Sequence, residues 1–147
     1  MTDDFRSELA PWVGGLRLSA QKEWVMFLVN LHERSFVGQP GHELRLVATL
    51  TGPTDDSSQP QETVSLEDDI EAKLKRILCS DGKARFVLRL KEGGETKWFF
   101  YTFTENPMLE KVSALKEEER YARLKIEIGL DPDWTIYREF TALADPG

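Results

Sequence analysis

The sequence predicts an α+β fold built on one antiparallel sheet. Three observations carry this expectation. Four segments beyond residue 44 have strand character: 44–50, 84–91, 97–103 and 124–128. Two segments with helical apolar spacing fall between them, one starting near Ser65 and one near Pro107. The two central β-rich runs flank Glu92-Gly93-Gly94-Glu95, a hairpin with Gly-Gly at its tip. The resulting order is strand, helix, strand, strand, helix, strand, the split βαβ or ferredoxin-like arrangement. An extra N-terminal strand precedes it and a short C-terminal helix follows it. At 147 residues, the whole span 1–147 reads as a single domain.

Each element has its own signal. Residues 1–20 form a mixed entry segment, with Gly14-Gly15 as a break before Leu16-Arg17-Leu18. Trp24-Val25-Met26-Phe27-Leu28-Val29 has no polar face and reads as a strand covered on both sides. His32 to Gly41 reads as loop. Leu44, Leu46, Ala48 and Leu50 alternate with Arg45, Val47 and Thr49, which is strand periodicity. Thr51 to Thr63 holds Gly52-Pro53, Asp55-Asp56 and Pro60 and reads as a long polar loop. Ser65-Leu66-Glu67-Asp68 has capping-box form, so a helix is expected to start there. Ile70, Leu74, Ile77 and Leu78 give it one apolar face, and Asp81-Gly82 should stop it. Asn106-Pro107 opens the second helix, whose apolar face is Met108, Leu109, Val112 and Leu115. Leu124, Ile126 and Ile128 alternate with charged residues as a last strand. Asp131-Pro132 caps a final helix over 133–143 carrying Trp134, Tyr137, Phe140 and Leu143. The helices are expected to cover one face of the sheet.

The Gly-Gly turn fixes a register. With Gly93 and Gly94 central, Arg89 pairs with Trp98, Leu88 with Phe99, Val87 with Phe100, Phe86 with Tyr101 and Arg85 with Thr102. Cross-strand partners share a face. Phe86, Leu88, Phe99 and Tyr101 are therefore expected under the helices. Arg85, Val87, Arg89, Trp98, Phe100 and Thr102 share the other face. Arg85, Arg89, Trp98 and Phe100 are the candidate binding residues, with Arg89 beside Trp98 as a cation–π pair. Cover of this face by the Trp24–Val29 strand or by the segment around Trp134 is the competing, purely structural expectation.

Composition excludes several classes. The chain is 40% hydrophobic and 31% charged, a normal globular balance. No apolar run approaches the roughly 20 residues that span a bilayer. Met1 to Glu8 carries Asp3, Asp4 and Glu8 without a basic start, so no secretory signal is expected there. Cys79 is the single cysteine, which excludes an intramolecular disulfide and a thiolate metal cluster. These features together predict a cytoplasmic setting. The net charge of −7 disfavours phosphate backbones and acidic membranes and would steer a basic partner.

Catalytic constellations are thin. His32 and His42 are the only histidines and read as exposed loop residues rather than metal ligands. Cys79 ends an apolar helical face and reads as a small buried hydrophobe. Glu67-Asp68-Asp69 suits a helix N-terminus, and Glu117-Glu118-Glu119 a solvated helix end. No Gly-x-Ser-x-Gly elbow and no Gly-rich phosphate loop ahead of a helix occurs. No catalytic residue, metal or cofactor is assigned. Trp98 and Phe100 beside Arg85 and Arg89 resemble the stacking platform of RNA-recognition sheets, but Leu44 to Leu50 supplies no aromatic.

Several pieces, taken in order, resemble a known family. They are Trp24-Val25-Met26-Phe27; the helix from Leu66-Glu67-Asp68; Phe86-Val87, Gly93-Gly94 and Trp98-Phe99-Phe100-Tyr101; and Asp131-Pro132-Asp133-Trp134 with Tyr137. Over roughly 22–141 the chain resembles a bacterial domain-of-unknown-function family, numbered 695. The resemblance supplies no catalytic residues. Members joined to a domain resembling an inhibitor of an RNA-degrading enzyme imply binding and regulation rather than catalysis. Residue chemistry within the motif reads as structural: Asp131 caps, Pro132 starts the helix, and Trp134 and Tyr137 share a helical side.

The functional expectation is a non-catalytic protein-binding or regulatory module, of inhibitor or immunity type, with an unidentified protein partner. A small enzyme of unknown reaction and a single-stranded RNA platform are the alternatives. A concave pocket lined by convergent polar groups would favour catalysis; a flat apolar-aromatic patch would favour binding.

Overall fold

A computed structural model describes residues 12–18, 23–37, 42–51, 60–79, 84–102, 108–118 and 123–144. Among these described residues six strands form one sheet: β1 (Trp12–Leu18), β2 (Trp24–Asn30), β3 (Leu44–Thr51), β4 (Ala84–Glu92), β5 (Glu95–Thr102) and β6 (Leu124–Leu130). Their spatial order is β1-β2-β4-β5-β3-β6, and every neighbouring pair is antiparallel. Three α-helices accompany them: α1 (Pro60–Cys79), α2 (Met108–Lys116) and α3 (Thr135–Ala144). A short 3-10 helix, Leu31–Phe36, follows β2. No helix among the described residues is long and apolar enough to cross a membrane.

The sheet has a core on each side. On one side α1 and α2 bury Ile70, Leu74, Leu78, Val112 and Leu115 against Leu46, Ala48, Leu50, Trp98, Phe100 and Leu124. On the other side α3 buries Trp134, Tyr137 and Phe140 against Phe27, Val29, Val87, Leu88, Phe99 and Tyr101. Helices thus cover both faces rather than one, because the apolar stripe of α3 seals the Phe99–Tyr101 side.

The N-terminal part departs from expectation. Gly14-Gly15 is no break but lies inside β1, which pairs with β2 along its whole length. Glycine is needed there because a Cβ on Gly15 would sit 2.6 Å from Cζ of the Phe27 ring. Two extra strands therefore precede residue 44, so the sheet is two strands larger than a split βαβ sheet. His32 to Gly41 is not all loop, since its first part lies in the 3-10 helix, where Asn30 Oδ1 accepts the His32 N–H at 3.0 Å.

Helix α1 starts at Pro60, earlier than the capping-box signal, so Ser65 lies inside it. Proline at a first helical position loses no hydrogen bond, which explains the earlier start. Asp81-Gly82 and Asn106-Pro107 lie outside the described residues. The β4–β5 turn is as expected, with Gly93 and Gly94 at φ 54° and 84°, the two positive angles a type I′ hairpin requires.

The register from Glu92–Glu95 to Leu88–Phe99 follows the count from that turn. A β-bulge between Phe86 and Leu88 then shifts it by one. Phe86 pairs with Phe100 and stacks on it at 5.0 Å, Arg85 pairs with Tyr101, and Val87 joins the Phe99–Tyr101 core. The expected faces of Phe86, Val87 and Arg85 are therefore reversed, while Arg89, Trp98 and Phe100 do share a face.

Candidate interaction face

Helix α1 closes the Arg89–Trp98 side of the sheet. Trp98 and Phe100 are fully buried beneath α1 and α2. No partner can reach these rings while the domain is folded. Arg89 reaches from β4 to two carboxylates of α1: Nη2 lies 3.3 Å from Glu67 Oε2 and Nη1 lies 3.1 Å from Glu71 Oε1. Its guanidinium carbon lies 5.9 Å from the centre of the Trp98 ring. Glu67 also takes Lys91 Nζ at 3.3 Å and the Thr96 hydroxyl at 2.5 Å, and the Trp98 indole N–H donates to Glu71 Oε1 at 3.2 Å. A buried carboxylate is tolerable only with such a set of donors. Glu67 is thus no helix-start acid; it lies well inside α1 and fastens the helix to β4 and β5.

Arg85 lies away from this network, beyond the bulge. Its Nε is 3.1 Å from Glu33 Oε2 of the 3-10 helix. Both line an open cleft of about 210 Å³ with Trp12, Asn30, Lys75, Cys79 and Phe86. Burial raises the Glu33 carboxyl despite the nearby Arg85. Burial likewise pushes the Cys79 thiol up to about 11, so it stays protonated and poorly nucleophilic at neutral pH. His42, expected to be an exposed loop residue, is half-buried, with its ring 6.4 Å from that of Trp134. Burial and then Arg85 lower its pKa, leaving it neutral near pH 7.

The Asp131–Trp134–Tyr137 motif is an anchor. Asp131 Oδ2 accepts the Tyr101 hydroxyl at 2.7 Å and Arg45 Nη1 at 3.1 Å, and Oδ1 accepts the Thr135 N–H at 2.9 Å. Burial alone would raise Asp131, but the Thr135, Tyr101 and Arg45 contacts together outweigh it and hold the carboxyl below its ordinary value. Burial first, and then the Asp131 bond, raise the Tyr101 hydroxyl. Trp134 stacks on Tyr101 at 4.3 Å and 10°, and its indole N–H donates to the His42 carbonyl at 2.7 Å. Trp134 adopts φ 53° just before α3 rather than lying within the helix. The Tyr137 hydroxyl donates to the Asn30 carbonyl at 2.5 Å, tying α3 to the end of β2.

Among the described residues, one face of the β1–β2 hairpin carries a row of exposed apolar side chains. Leu16 and Leu18 on β1 are 62% and 50% exposed; Trp24, Met26 and Leu28 on β2 are 62%, 55% and 41% exposed. The register pairs Leu18 with Trp24, Leu16 with Met26 and Gly14 with Leu28, so these residues share one face. Met26 pairs with Lys91 and Leu28 with Arg89 on the next strand, so this face continues directly into the Glu67 network. The opposite residues, Val25, Phe27 and Val29, are buried, Phe27 and Val29 in the core under α3. The expected cover of Trp24–Val29 on both sides therefore holds on one side only. Helices α1 and α2 pack on strands β3 to β6, and the C-terminal end of α1 reaches β1 and β2 at the cleft beside Trp12 and Asn30, away from Leu16 to Leu28. Sequence reasoning missed Leu16, Leu18, Trp24, Met26 and Leu28 as a surface, although their alternation with Arg17, Val25 and Phe27 is the signal that could have found it.

Among the described residues, fold and surface together define a mixed α/β domain with a six-stranded antiparallel sheet, helices on both sides and an exposed apolar hairpin face. A family model matches residues 17–141, and the chain belongs to that family, DUF695, a family of unknown function. No curated protein and no solved structure matches the chain.

Proposed function

We propose that this chain is a non-catalytic protein-binding or regulatory module of a bacterial cytoplasm, working through the open face of the β1–β2 hairpin. The observation that carries this reading is the row Leu16, Leu18, Trp24, Met26 and Leu28, all more than two-fifths exposed on one flat surface. Aromatic and aliphatic side chains on a rigid sheet are the usual anchors of protein contacts. Their strand is held from behind by α3, so little ordering is needed on binding. The inhibitor or immunity type of module fits such a preformed surface. The candidate residues Arg89 and Trp98 enter this reading as supports: they fix α1 beside the hairpin and set the edge of the open face. Phe100 adds to the core beneath the helices, and Arg85 belongs to the cleft around Glu33.

The finer fold assignment is part of the same reading. Strands β3 to β6 with α1 and α2 form a ferredoxin-like unit, to which the β1–β2 hairpin is an addition on the β4 edge. The order β4-β5-β3-β6 with α1 and α2 on one side supports it. The hairpin is then the added part, and the contact surface lies on it.

The test is capture of partners from a lysate of the source cell by tagged wild-type chain and by Met26→Glu, with nuclease present. A stoichiometric partner retained by the wild type and lost by the variant supports the reading. Equal capture by both overturns the choice of face. Loss of all partners on nuclease treatment overturns the protein-binding reading.

A further inference from the structure

We infer that the occupant of the open hairpin face is a second copy of this chain, packed hairpin on hairpin about a two-fold axis parallel to the strands. This rests on the reading above that the face binds protein. The first argument is area. At their observed exposures the five side chains present roughly 500 Å² of surface, at the upper end for the largest apolar patch of a monomer. That is more than half of the roughly 800 Å² each partner contributes to a stable interface. The remainder would come from the rim of α1 and the outer edge of β1, which the shape of the pair brings alongside.

The second argument is shape. Stacked sheets sit about 10 Å apart, which is also about the thickness of a helix on a sheet. A partner's hairpin laid on this face therefore occupies the same layer as α1. With the axis along the strands, the left–right order of strands reverses in the second copy. Each α1 then stands beside the partner's β1 edge, and the two helices bracket the paired hairpins. An in-plane axis across the strands would instead place α1 on α1.

The third argument is register. The same axis sets each β2 residue over the β1 residue that it pairs with in its own chain. Trp24 then faces the partner's side chain at position 18, Met26 faces the one at 16, and Leu28 faces Gly14, which carries no side chain of its own. Large opposes large at two levels, and at the third the space over Gly14 is taken up by Leu28 of the same chain, whose Cδ2 would lie 3.1 Å from an added Cβ. The same patch serves on both copies, as an isologous contact requires.

Charge provides the discriminating signature. Two chains of net charge −7 repel at long range, so salt should tighten an apolar contact between copies. A basic partner steered to the same chain would bind more weakly in salt.

The experiment is sedimentation velocity on the full chain from about 1 to 300 μM, from the weak end of the range for standard-size interfaces upward, in low salt and in about 0.5 M NaCl, where the Debye length falls to roughly 4 Å. The expected result is a concentration-dependent dimer whose affinity rises severalfold in salt. Met26→Glu should be monomeric throughout. Gly14→Leu, which pushes Leu28 out of place at the contact without adding charge, should weaken the dimer at least tenfold while retaining the wild-type circular dichroism spectrum. Monomer at every concentration overturns the inference, as does a dimer indifferent to both variants or weakened by salt. If the wild type is monomeric yet lysate capture still depends on Met26, this inference fails and the protein-binding reading stands. If capture fails as well, both fall.

Discussion

Strand β2 meets two different surroundings on its two faces. Val25, Phe27 and Val29 are buried, Phe27 and Val29 under α3, with the Phe27 ring 5.1 Å from that of Phe140 and Arg17 lying over Phe140 at 4.5 Å. Trp24, Met26 and Leu28, one residue out of phase, lie in the open. Both sets are apolar, yet only the first contributes core burial to the folded chain. A strand with one solvated face ordinarily carries polar residues there. The proposed contact surface gives this exposed apolar row, which lies among the described residues, a physical reason.

This contrast can be broken residue by residue. The largest effect belongs to the sealed side. Phe27→Ala removes a ring packed between Gly15 and Phe140 and should cost about 4 kcal/mol, as large-to-small changes in cores do; denaturant unfolding measures it. Next comes the seam between the two regions. Arg89→Leu should cost about 3 kcal/mol, at the low end for removing one partner of a buried ion pair, because Lys91 and Thr96 still hold Glu67. Tyr101→Phe deletes one hydrogen bond to Asp131 and should cost about 1–2 kcal/mol.

The same change should alter the pH profile of stability. Asp131 has a folded pKa below its ordinary 3.8, so its contribution is in place above that value and is lost as pH falls through the folded value. Tyr101→Phe should shrink this acid-limb loss, which urea midpoints taken across the acid range would read. Glu33, raised by burial above 4.5, works in the opposite sense: its burial favours folding below 4.5, and that advantage disappears as pH rises through its folded value. The smallest effect on stability belongs to the open face. Met26→Glu should change unfolding by no more than about 0.5 kcal/mol, as surface substitutions do.

Much of the sheet was legible because local chemistry dictated it. Gly93 and Gly94 supply the two positive φ angles of a tight hairpin, so their residue types alone located the turn and the pairing out to Leu88–Phe99. Beyond that point the bulge at Val87 inserted an extra residue that no periodicity announces. Asp131, Trp134 and Tyr137 were legible as a structural motif, but the left-handed Trp134 that puts its ring on Tyr101 was not. Glu67 looked like a helix-start acid because its partners, Arg89, Lys91 and Thr96, are distant in sequence. Gly14-Gly15 read as a break because the reason for Gly15 is the Phe27 ring on another strand. The open face was hidden for a related reason. An all-apolar run such as Trp24–Val29 reads as buried on both sides, and only tertiary placement of α1 and α3 separates the covered residues from the exposed ones.

The most direct test of this account pairs two measurements on Met26→Glu: its unfolding free energy at a concentration too low for association, and its association at high concentration. The account predicts unchanged unfolding and lost association, the mark of a surface that binds without holding the fold together. A loss of several kcal/mol in the first measurement, or full association in the second, would contradict it.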